Sequence, residues 1–71
     1  MPNTNLIKER MREKEITQKD LAAALGIAAP TVSQKINGVR PIDLDEARTL
    51  AALLEIESGD FGRYFFASDV A

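Results

Sequence analysis

Cysteine and histidine are both absent from the 71-residue chain. Without cysteine there is no disulfide, no zinc-thiolate site and no thiol nucleophile. Without histidine the commonest metal ligand and the commonest general base at neutral pH are missing too. No nucleophile–base pair, metal cluster or phosphate loop takes their place, so the sequence predicts neither an enzyme nor a bound cofactor. Long apolar runs are also lacking, and none approaches the ~20 residues that a bilayer span requires. The start, Met1-Pro2-Asn3-Thr4-Asn5, has neither the basic opening nor the apolar stretch of a secretion signal. These absences predict a soluble cytoplasmic protein with no membrane contact. The length predicts one domain over 1–71, with a core so modest that close helix packing or a partner subunit must support it.

What is present is charge, unevenly spread. Nine basic and eleven acidic residues give a net charge of −2. Residues 1–40 hold seven cations (Lys8, Arg10, Arg12, Lys14, Lys19, Lys35, Arg40) against four anions, a net of +3. Residues 41–71 hold two cations against seven anions, a net of −5. Any anion-binding surface therefore belongs to the first half, and the acidic second half is expected to face away from it.

No alternating apolar run is long enough for a strand, and the chain reads as helices throughout. The first is expected from about Asn5 to Lys14, with Ile7 and Met11 on one face and Lys8, Glu9, Arg12 and Glu13 on the wet side. Thr17 opens a second helix with Asp20 three residues on, a variant of the capping box. Leu21, Ala22 and Leu25 follow at helical spacing, and Gly26 supplies the positive φ that ends it. A third helix begins near Ala29-Pro30, where a proline costs no hydrogen bond, and ends at Asn37-Gly38. Pro41 forbids its continuation. Asp43 and Glu46 form a second capping box for a fourth helix through Leu44, Ala47, Leu50, Ala51 and Leu54. The segment 58–66 has room for a short fifth helix. The fold class is thus all-α, with five helices.

The informative stretch runs from Gln18 to Asn37. Two helices crossing closely need a small residue at the contact, a glycine at the turn and apolar residues that lock one onto the other. Ala22, Gly26 and the set Ile27, Val32 and Ile36 meet those needs in one register, which predicts a helix-turn-helix over about 17–37. On the wheel of the third helix, at about 100° per residue, Val32 and Ile36 lie within about 40° of each other and mark the buried side. Pro30, Gln34 and Asn37 lie opposite, with Thr31 and Ser33 at the margins. That outer face is amide-rich, hydroxylated and free of carboxylates. It suits the major groove, because an amide can donate and accept at once, as adenine N6 and N7 require.

The run Gln18-Lys19-Asp20-Leu21-Ala22-Ala23-Ala24-Leu25-Gly26-Ile27, with Thr31-Val32-Ser33 and Asn37-Gly38-Val39-Arg40-Pro41, resembles the Cro/CI-type (lambda-repressor-like) helix-turn-helix family over about residues 5–57. The ending Phe61-Gly62-Arg63-Tyr64-Phe65-Phe66 is further similar to small Cro-like regulators of phages and mobile elements. The resemblance implies a bacterial transcriptional regulator, a Cro-like repressor, bound as a dimer to double-stranded DNA at a pseudo-palindromic operator. It places Ala29, Pro30, Ser33 and Gln34 at base-facing positions, with Gln34 foremost. Gln18, Asn37 and Arg40 match backbone-contacting positions, and Lys19 and Lys35 would add phosphate contacts. Three positions depart from the pattern. Ala28 stands where a Ser or Thr cap is common, Lys35 where an apolar residue is common, and Ile36 where a polar one is common. Ala29 and Pro30 offer no hydrogen bonds, which shifts part of the expected recognition onto DNA shape.

All four aromatics, Phe61, Tyr64, Phe65 and Phe66, fall within six positions. Phe61 and Phe65, four apart, are expected to close the core of their own subunit, and the cluster as a whole is the expected dimer interface. The alternative is a protein-interaction module on the same fold, antitoxin-like or repressor-binding, which the acidic composition favours. With no second domain to hold an inducer, no small-molecule ligand is expected.

Overall fold

The computed structural model describes residues 2–66. Five helices follow one another: α1 (Thr4–Lys14), α2 (Gln18–Leu25), α3 (Ala29–Ile36), α4 (Leu44–Leu53) and α5 (Phe61–Phe65), the last entered through a 3-10 turn at Ser58–Asp60. The all-α architecture read from the sequence is the observed one. Among the described residues, no helix is long and apolar enough to cross a membrane.

Each start has a local cause. Asn3 caps α1, its side-chain oxygen accepting from Leu6 N–H at 3.2 Å, so the helix begins slightly before the expected Asn5. In α2, Thr17 Oγ1 accepts from Asp20 N–H at 3.2 Å while the Asp20 carboxylate accepts from Thr17 N–H at 2.8 Å. In α4 the same reciprocal pair forms between Asp43 and Glu46, at 2.7 and 3.0 Å. These side chains satisfy backbone donors that a helix N-terminus otherwise leaves open. Helix α3 has no side-chain cap, since Ala28 occupies that position.

Three helix ends share one device. Glu15, Gly26 and Glu55 each adopt positive φ, and the isoleucine that follows each, at 16, 27 or 56, donates its N–H back into the last turn. All three isoleucines then pack against the core, the hydrophobic contact that accompanies this type of helix end. At Gly26 the turn is cheap, and at the two glutamates the left-handed backbone costs about 1–2 kcal/mol each. The glycine was evident from composition; the glutamates were not.

The core comprises Ile7, Met11, Leu21, Ala22, Val32, Ile36, Ala47, Leu50, Ala51, Leu54 and Phe65. Leu25, Ile27 and Phe61 are half-buried around it, and Leu44, which shares the helical pattern of α4, is exposed. Helix α2 packs against both α3 and α4, and α1 against α5. Long-range hydrogen bonds close the ring. Asn3 N–H reaches Tyr64 O at 2.7 Å, and Thr4 Oγ1 donates to Ile36 O at 2.6 Å. Arg10 spans from α1 to the end of α4, donating from Nε to Leu54 O at 2.9 Å and from Nη2 to Glu55 O at 2.7 Å. A guanidinium there satisfies open carbonyls and meets the negative end of the helix dipole.

Candidate nucleic-acid interface

The unit α2–turn–α3 is built as the spacing requires. Ala22 is buried at the crossing, and Gly26 turns the chain with φ of 69°. Ile27 N–H then donates to Ala22 O at 3.1 Å, fixing the angle at which α3 leaves. Val32 and Ile36 are buried, while Pro30, Gln34 and Asn37 are exposed and Thr31 and Ser33 are intermediate. The wheel drawn from the sequence is thus the wheel of the structure. Ala29 is half-buried and touches the core, so of the four base-facing candidates Pro30 and Gln34 stand clear, with Ser33 at the edge.

The loop from Asn37 to Asp43 folds back on α3. The Gln34 carbonyl accepts from both Val39 N–H at 2.8 Å and Arg40 N–H at 3.2 Å. Arg40 is therefore anchored by its backbone to the residue best placed for base reading, while its side chain is exposed. The Asn37 amide turns back too, with Nδ2 donating to Ser33 O at 2.8 Å and to Ser33 Oγ at 3.3 Å. Gln18 is half-buried in the first turn of α2, and Lys19 beside it is exposed. Asp20 in the same turn has its carboxyl held below the usual carboxylate range, first by the Thr17 backbone N–H and then by the Thr17 hydroxyl.

Lys35, expected at a phosphate, is engaged within the fold. Its ammonium lies 3.0 Å from Glu46 Oε1 and 3.0 Å from Pro41 O, with the two side chains only 16% and 20% exposed. It sits in the seam between α3 and α4. Lys14 pairs with Glu55 at 3.2 Å, and Arg10 is occupied at α4. Three of the seven cations of the first half therefore have partners within the fold. Lys8, Arg12, Lys19 and Arg40 are the exposed ones. A lysine where the helical period asks for an apolar residue was the one available signal for the seam. Arg10 also pairs locally with Glu13 at 3.3 Å, but nothing in the local sequence marks its two carbonyl partners, more than forty residues away.

The aromatic segment divides in two. Phe65 is 2% exposed and belongs to the core of its own chain, which removes it from the expected dimer surface. Phe61 and Tyr64 are half-buried, their rings packed within 5.2 and 6.4 Å of that of Phe65. Phe66 is 50% exposed, and Val39, unremarked in the sequence, is 72% exposed. Both line an open groove of about 310 Å³ together with Pro2, Pro41 and Ile42, and Arg40 stands on its rim.

A small-residue crossing, a glycine turn and an outward, carboxylate-free polar helix face define a helix-turn-helix DNA-binding module. The sequence comparison agrees: a family model described as helix-turn-helix matches residues 7–61, and the chain belongs to that family, of the Cro/CI type. No curated protein and no solved structure gives a match.

Proposed function

We propose that this DNA-binding protein is a sequence-specific transcriptional regulator, a Cro-like repressor of phage or mobile-element origin, that reads the major groove as a homodimer. The observation that carries this is the outer face of α3, where Gln34 and Pro30 stand exposed directly across from the buried Val32 and Ile36. Gln34 contacts base edges, Pro30 and Ser33 flank it, and Gln18, Lys19 and Arg40 hold the sugar-phosphate backbone on either side. The Cro-like assignment rests on the resemblance of the 61–66 ending.

The dimer reading is supported by the apolar surface around Val39 and Phe66, whose ring packs 5.8 Å from that of Phe61. This surface adjoins Arg40 at the C-terminal end of α3. A second copy packed there keeps both recognition helices on one side of the duplex. With only Lys19 and Arg40 free beside the recognition face of each subunit, the plot of log K against log salt has a slope on the order of −4 for the dimer, shallow for a repressor.

The test is selection from random-sequence duplex DNA by the purified protein at near-physiological salt. The expected product is an inverted repeat with half-site centres about 34 Å apart. Absence of any enrichment by the folded protein overturns the reading and directs attention to a protein partner. Enrichment of single half-sites without a repeat retains the DNA reading and removes the dimer.

A further inference from the structure

We infer that Lys35 is a positioning residue for DNA recognition: its ammonium clamps Gln34, Arg40 and the start of α4 into one rigid unit and touches no phosphate. The inference rests on the DNA-reading assignment of α3 and adds to it the device that sets the register of the reading side chains.

The geometry begins at a single carboxylate oxygen. Glu46 Oε1 accepts from Lys35 Nζ at 3.0 Å and from the Asp43 N–H at 3.0 Å. The capping box that starts α4 is thereby welded to the penultimate residue of α3. The same ammonium donates to Pro41 O at 3.0 Å, next to Arg40. On the other side of the loop, Val39 and Arg40 N–H both reach the Gln34 carbonyl, and Gly38 N–H donates to Lys35 O at 3.2 Å. The seven-residue connection 37–43 is thus held at both edges, with Arg40 between the two clamps.

The energetics explain why such a pair serves position more than stability. Exposed ion pairs contribute almost nothing, whereas a largely desolvated pair loses in hydration about what it gains in attraction. Replacing such a pair by apolar groups is often neutral for folding, and what changes is the uniqueness of the arrangement. An apolar residue at 35 packs against the seam but cannot hold the Pro41 carbonyl or the Glu46 carboxylate.

The experiment uses Lys35→Met and Glu46→Gln, the latter keeping the capping geometry while removing the charge. The probes are the duplex recovered by selection and a scrambled duplex of the same composition. Both variants are expected to unfold cooperatively and to bind the selected duplex about three- to tenfold more weakly, with the double variant no worse than either single one. Affinity for the scrambled duplex and the salt slope stay unchanged. A phosphate role predicts the opposite pattern: equal losses on both duplexes, a salt slope shallower by about 0.9 per lost contact, and no effect of Glu46→Gln. That pattern, or strict additivity of the two variants, overturns the inference.

A second measurement needs no DNA. In Lys35→Met the Val39 and Arg40 amide protons exchange faster with solvent, while those of α1 keep their protection. Unchanged exchange at both positions overturns the clamp whether or not any duplex is bound.

Discussion

The two ends of α3 are held in different ways. At its start, Ala28 offers no cap, Ala29 and Pro30 follow without hydrogen-bonding side chains, and the helix is kept by its own turns, the glycine turn before it and the contact of Ala29 with the core. At its end, Asn37 folds onto Ser33, Thr4 donates to Ile36 O, Gln34 O collects two loop amides and Lys35 reaches into α4. The start shows Pro30 to solvent and keeps Ala29 half-buried against the core. The end must carry the orientation. In a domain this small, the bracing of α3 is concentrated at the end that carries Gln34 and Arg40.

The largest effect is expected from breaking the anchored end at its core. Ile36→Ala removes a fully buried side chain and destabilises the domain by about 2–5 kcal/mol, measured as a drop in the urea midpoint. Pro30→Ala at the exposed start stays within about 0.5 kcal/mol of wild type. Equal losses at the two ends would erase the asymmetry.

Next in size are the side chains on the reading face. Gln34→Ala is expected to cost about 1–3 kcal/mol of discrimination at its base pair, with binding to scrambled DNA kept. Arg40→Ala weakens both duplexes alike and makes the salt slope shallower by about 0.9 per subunit. Titrations of the two variants at several salt concentrations separate these roles, and exchanged signatures would reverse the assignments.

Smaller still is the repair of the bare start. Ala28→Ser places a hydroxyl at the empty cap and raises stability by about 0.5–1 kcal/mol. No gain would mean that the open N–H groups of α3 are already well satisfied by water.

The smallest effect is one of acid. The folded Asp20 carboxyl titrates below its unfolded value because Thr17 donates to the ionised form. Its contribution is therefore fully present above the ordinary aspartate pKa of about 3.9 and is lost as pH falls through the lower folded value. Thr17→Val removes both the hydroxyl cap and part of this dependence, and acid titration of α2 amide shifts by NMR would show it. An unchanged Asp20 titration in that variant would leave the backbone N–H as the sole cause.

How much of this was legible depended on distance along the chain. The two capping boxes, the glycine turn and the alternation of Val32 and Ile36 against Pro30 and Gln34 are contacts over three or four residues, which periodicity reports directly. The left-handed glutamates at 15 and 55 were hidden because neither is a residue that prefers such a backbone. The four-residue spacing of Phe61 and Phe65 pointed inward, and Phe65 is indeed core, whereas Phe61 is only half-buried and Phe66 is left outside. Charge misled most. Counting cations gave a positive half, but Arg10, Lys14 and Lys35 are spent on carbonyls and carboxylates elsewhere in the fold.

By itself, then, the sequence determined the helices, the turn between α2 and α3 and the face that α3 turns outward. Each follows from local backbone preference and from the burial of apolar residues at helical spacing. Only the tertiary structure decided which cations remain free, which aromatics are exposed and how the reading helix is braced. Those are settled by partners four to more than forty residues away, most of them beyond one helical turn, and a side chain's charge or apolar surface is available to a ligand only when no such partner takes it first.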